Sequence, residues 1–164
     1  MKKKNRNTLI LLFVIVVLIA IGFALNDLKE TVEFEEFSVE VPAGSNFTDL
    51  DTDDPIIKEG HRSMNDDLTI TSFNKEYIEN EYYEEHGESM DFTESSIENM
   101  TKDKANNVTE LSDNLTRCVL TQNISGTPDT DVGVIYHDDT HYIIVEGGDV
   151  EFITGIAESI KILE

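Results

Sequence analysis

The chain has one cysteine among 164 residues, and only 12 Lys and Arg against 34 Asp and Glu. A lone cysteine cannot close an internal disulfide, so the fold must hold through its core alone. Cys118 lies in the strand-like run LTRCVL, where a small buried apolar side chain is the expectation. The shortage of basic residues excludes a nucleic-acid partner and disfavours anionic lipid, because the net charge of −22 repels both. There is no internal repeat, no low-complexity tract and no second long apolar run beyond the one near the amino terminus.

That one run decides the topology. MKKKNRNT, residues 1–8, carries Lys2, Lys3, Lys4 and Arg6 and no acid; LILLFVIVVLIAIGFAL, residues 9–25, carries no charge. At about 1.5 Å per residue the run spans roughly 26 Å, slightly less than a hydrocarbon core of about 30 Å. In lipid the backbone must satisfy its own polar groups, so a helix is required. Lysines stay on the cytoplasmic side, which predicts a single-pass protein with residues 1–8 inside and the rest outside at the cell membrane. A cleaved secretory signal is the rival, with Gly22-Phe23-Ala24 as a small-x-small site. The run is longer than a signal core of about 7–15 residues, which favours a retained anchor. A lipoprotein is excluded, because the sole cysteine is far from the end of the run.

Without the four cations of the leader, 8 Lys and Arg face 34 Asp and Glu outside, a net −26. Such a surface attracts cationic partners in a salt-dependent way and keeps a protein soluble in the envelope. Asn-x-Ser/Thr triplets at Asn46, Asn99, Asn107, Asn114 and Asn123 all lie beyond the apolar run, where glycosylation machinery reaches them, so a glycoprotein is expected if the source is archaeal.

Residues 26–32 read as a polar stalk and residues 33–164 as one extracytoplasmic domain. EFSVEVP alternates as a strand ended by Pro42 and Gly44, followed by a loop through Pro55. Ile57–Ser63 and Leu68–Phe73 are further strands. KEYIENEYYEEHG switches to helical period, and a second helix follows with Asp91 as cap. Val108–Leu111, Leu115–Gln122 and the hairpin VGVIYH-DDT-HYIIVE supply four more strands, with a polar loop around Gly126 and Pro128. Ile153, Ile156, Ala157 and Ile160 form a closing helical stripe capped by Asp149, with Gly155 expected to pack closely on the sheet. The fold class is therefore α+β: an N-terminal transmembrane helix, then an antiparallel sheet covered by a central and a C-terminal helix.

The strand ending VPAG, the central helix, the hairpin YHDDTHYIIVEGG and the closing AESIKIL resemble the PsbP-like α/β sandwich over residues 33–163. The whole layout also resembles short membrane-anchored surface proteins of methanogenic archaea. The PsbP resemblance implies a non-enzymatic accessory or binding module.

Candidate chemistry is sparse. His137 and His141 bracket Asp138 and Asp139; across a three-residue loop both imidazoles would face each other and, with Asp138, offer ligands to a divalent cation. A solvated turn explains the same residues. Asp49, Asp51 and Asp53 alternate as in calcium loops, but Asp54 and Gly60 stand where an EF-hand needs glycine and glutamate, which excludes that motif. No Gly-x-Ser-x-Gly occurs, so no residue is assigned to catalysis or to a cofactor. The expected function is a membrane-anchored, acidic, non-catalytic binding or accessory module whose partner is an envelope protein, a wall polymer or a cation. The alternative is a metal-dependent or hydrolytic surface enzyme.

Overall fold

The structure is a computed structural model that describes residues 28–51, 53–82, 91–103, 106–124 and 127–163. The leader, the apolar run 9–25 and Gly87 lie outside these residues. Among the described residues no helix is long and apolar enough to cross a membrane.

The described chain is an α+β domain with two antiparallel sheets instead of the single sheet expected. Strands β1 (Lys29–Glu33) and β2 (Phe37–Pro42) pair as a hairpin, and β1 already starts inside the stretch read as stalk. The second sheet begins with β3 (Phe47–Asp49), β4 (Ile57–Ser63) and β5 (Leu68–Phe73). Helix α1 (Lys75–Tyr77) continues as a π-helical turn over Ile78–Tyr82, and α2 spans Phe92–Lys102. Strands β6 (Asn106–Ser112), β7 (Leu115–Ile124), β8 (Thr127–His137) and β9 (Tyr142–Gly147) follow, then α3 (Val150–Ala157) and β10 (Lys161–Ile162). The small sheet runs β1-β2-β10 and the large one β3-β4-β5-β9-β8-β7-β6.

Period-two alternation assigns the two faces of the large sheet. Leu68, Ile70, Val132, Val134, Ile143 and Val145 face one way and join Phe37, Val39 and Val41 of β2 and Ile153, Ile156 and Ala157 of α3 in one buried cluster. On the opposite face Tyr142 is buried beneath α2: its ring lies 4.6 Å from Phe92 and 5.7 Å from Phe73, and its hydroxyl bonds Ser96 Oγ at 2.5 Å. The large sheet is thus the middle of three layers.

Both expected helix caps are present. Asp91 Oδ1 accepts from Glu94 N at 2.8 Å and Asp149 Oδ1 from Phe152 N at 2.7 Å, each satisfying one of the amides that a helix start leaves unpaired. Three local readings change. Residues 42–55 hold a strand, β3, which pairs with β4. The expected loop after Gln122 is largely ladder, because β7 and β8 pair from Leu115↔Tyr136 out to Ile124↔Thr127. The closing helix stops at Ala157, so Ile160 is buried from a turn, and Lys161–Ile162 add an edge to β2.

Candidate functional site

The YHDDTH segment caps one end of the large sheet. His137 pairs with Tyr142, which leaves Asp138, Asp139, Thr140 and His141 as a four-residue loop. Asp138 organises it: Oδ1 accepts from Thr140 N at 2.8 Å and from His141 N at 2.7 Å, as Asp does in turns. The His141 ring returns to the same carboxylate, Nδ1 lying 2.9 Å from Oδ1. Burial opposes ionisation of Asp138, but the two amides and the His141 ring more than offset it and hold the carboxyl below its usual range.

This loop separates the histidines. His141 opens into a depression of about 320 Å³ that it shares with Glu36, Lys58, Glu79 and Asn80. His137 lies on the helix-covered face, with Nε2 3.5 Å from Thr116 Oγ1, and opens into a second depression of about 440 Å³ between α2, the β6–β7 turn and the hairpin loop. The imidazoles therefore do not face each other, because His141 belongs to the loop instead of the strand. Of the proposed ligands, the structure brings together His141 and Asp138 and leaves His137 apart. Among the described residues no three or more His, Cys, Asp or Glu side chains are grouped to share a metal ion.

Lys75 lines both depressions. It is 6% exposed, and its ammonium donates to the Asp138 carbonyl at 3.3 Å and lies 3.8 Å from both Glu79 and Asp91. Buried lysine is tolerated only when paired, and here three acceptors share the charge. Burial and then the nearby Lys75 push His137 below the ordinary imidazole value, against the opposing pull of Asp138, Asp91 and Glu110. Nothing in the sequence marked Lys75, since a lysine at the start of an acidic helix reads as solvated.

A second cluster was also not anticipated. His61 on β4 sits between two carboxylates, Nδ1 3.0 Å from Asp49 Oδ1 and Nε2 2.8 Å from Glu59 Oε2, with the Phe34 ring stacked at 4.0 Å. Glu59 also accepts from the amides of Glu35 and Glu36, and Lys58 pairs with Glu36, so the cluster fastens the β1–β2 turn to the large sheet. Burial opposes charge on His61 and Glu59 alike, yet each partner's charge and hydrogen bonds prevail: the imidazole is raised and the carboxyl lowered. Glu-x-His on one strand face was the available signal; Asp49 required the unforeseen β3.

Cys118 is half-buried on the helix-covered face, not in the core. It lines a groove of about 340 Å³ with Met100, Leu120, Ile144 and Glu146, and burial, with the charge of Asp103, pushes its thiol up. A raised thiol is a poor nucleophile at neutral pH. Of the sugar acceptors, Asn46, Asn99, Asn107 and Asn114 are exposed, although the Asn114 amide nitrogen donates to the His137 carbonyl at 2.8 Å. Asn123 lies on β7.

No family model matches the chain, and no curated protein matches it. Among solved structures it is similar to the solution structure of cyanobacterial PsbP (CyanoP) from Synechocystis sp. PCC 6803, at 9% identity and a TM-score of 0.46, over 82% of this chain and 92% of that one.

Proposed function

We propose that the chain is a membrane-anchored, acidic, extracytoplasmic protein that acts as a non-catalytic binding or accessory module for a cationic partner in the cell envelope. The observation that carries this reading is the pair of acid-lined depressions meeting at Lys75, at the end of the large sheet formed by the β8–β9 loop. Glu36, Glu76, Glu79 and Asp139 line one; Asp91, Glu94, Asp113 and Asp139 are among those lining the other. Grouped carboxylates raise the local concentration of cations and steer basic partners, with an effect that salt weakens. The anchor is supported by the apolar run 9–25 and its basic leader.

The test is capture from envelope extract by the full-length protein at about 50 mM and about 500 mM NaCl, a range over which the Debye length falls several-fold. Retention of basic proteins or polymers at low salt and their release at high salt is the expected result. Salt-independent retention of neutral or acidic material would refute the cationic partner. Mass spectrometry of the captured protein reads sugar on Asn46, Asn99 and Asn107, the exposed acceptors with no competing side-chain bond among the described residues.

A further inference from the structure

The second depression goes further than a general acidic surface. Three of its carboxylates, Glu94, Asp113 and Asp139, have no hydrogen bond or ion pair among the described residues. The other two are engaged: Asp91 caps α2 and lies near Lys75, and Asp138 holds its own loop. An independent feature accompanies them. Thr93 lines the same cleft, is 9% exposed, and its Oγ1 is buried without a hydrogen-bond partner. A buried hydroxyl left without a partner is destabilising relative to a satisfied one, and α2 would lose nothing by carrying valine there. The hydroxyl and the spare carboxylates are hydrogen-bond acceptors, so a ligand rich in donors completes them. Ile97, one turn further along α2, adds an apolar wall, and His137 adds a flat ring.

We propose that the cleft between the first turn of α2, the β6–β7 turn and the β8–β9 loop binds an arginine side chain of a protein partner. The site rests on the reading of the chain as a cation-binding module and locates it. Carboxylates on three separate elements suit a guanidinium, which spreads five donors in a rigid plane, better than an ammonium, whose charge is a point. The methylene stem lies along Ile97, as arginine stems do on apolar surface. The plane stacks on the uncharged His137 ring.

The test uses the full-length protein in detergent micelles and N-acetyl-arginine amide as probe, followed by NMR at the Thr93 methyl and the His137 ring. Saturable shifts at both are expected, with N-acetyl-lysine amide binding more weakly. Thr93→Val and Asp113→Asn are each expected to weaken binding about tenfold, the effect of losing one charge-assisted hydrogen bond. Thr93→Val is not expected to lower the melting temperature. Asp53→Asn, an exposed carboxylate on another loop, leaves binding unchanged. Equal weakening by Asp53→Asn would overturn the site, as would calcium chloride producing the same shifts at lower concentration. If Asp113→Asn captures the basic envelope partner as strongly as the wild type and in the same salt-sensitive way, this site is wrong while the binding-module reading stands.

Discussion

Two glycines make opposite predictions. A Cβ built on Gly147 would meet the Asp67 carbonyl at 2.5 Å and Ile153 Cδ1 at 2.6 Å, so backbone and core both resist it. Gly147→Ala is expected to destabilise by about 1–3 kcal/mol through overpacking. Gly155 was expected to be small because the sheet presses on it, but nothing lies within 4 Å of an added Cβ. Gly155→Ala should therefore stabilise the domain by up to about 1 kcal/mol, the helix-propensity difference. Urea unfolding of both variants checks the pair, and a stabilised Gly147→Ala would show the turn at Asp67 to be looser than the geometry requires. The His61 cluster predicts a pH signature. The imidazole is raised from its ordinary 6.5, so its contribution is complete below that value and is lost as pH climbs through the higher folded value. Glu59 is lowered from 4.5, so its contribution is complete above that value and is lost as pH falls through the lower folded one. Between about pH 4.5 and 6.5 both are in force. The stability difference between wild type and His61→Gln should accordingly be larger at pH 5.5 than at pH 9, read by denaturant unfolding at each. An equal difference at both would mean that the ring acts by packing on Phe34 alone.

At the scale of elements, α2 hangs on its first turn. Asp91 caps it, and Phe92 and Ser96 anchor it on Tyr142. Asp91→Ala is expected to cost about 1 kcal/mol, while Asp91→Asn should keep the cap and lose only the charge facing Lys75. Comparing the two by thermal unfolding separates cap from charge. These elements also show what the sequence could and could not say. Both caps were legible because a capping carboxylate and the amide it serves lie three residues apart, within the span of a local motif. β2 was legible because alternation survives in it, and β5, β8 and β9 because turn residues bound their apolar runs; β4, with Ile57 as its one apolar residue, was marked only by the turns around it. β3 and β10 were not, because three and two residues carry no period and exist only through partners distant in sequence. The end of α3 failed for a related reason: Ile160 continues the helical stripe, yet it reaches the same core from a turn once Lys161 is drawn to β2. In the candidate site, the HDDTH stretch was visible as a cluster of polar groups, but one residue of loop length decided its geometry. A three-residue loop sets the imidazoles across from one another; the four-residue loop, drawn together by Asp138, places them in two different depressions. Thr93, Asp113 and Lys75 were silent because their roles come from three elements meeting.

The whole molecule is governed by charge and by the distance between the proposed anchor and β1. At net −26 for residues 26–164 the folded state carries a self-repulsion that salt screens, so the melting temperature should rise by several degrees between about 10 mM and 500 mM NaCl. A flat or falling curve would mean that its ion pairs, few as they are, outweigh the repulsion. The same charge sits close to the proposed anchor: only Asn26, Asp27 and Leu28 separate the end of the apolar run from β1. A connection of three residues spans at most about 10 Å, so the domain would rest against the headgroups and be pushed upright by anionic lipid. In the proposed orientation the acidic end of the large sheet would face the external medium, where a basic partner would reach it. The proposed orientation therefore predicts that protease added to intact cells removes a tag fused after Glu164. In inside-out vesicles the same tag is expected to survive until detergent is added. Protection in cells with cleavage in the vesicles would place the domain in the cytosol, and would remove the sugar acceptors and the envelope partner in one step.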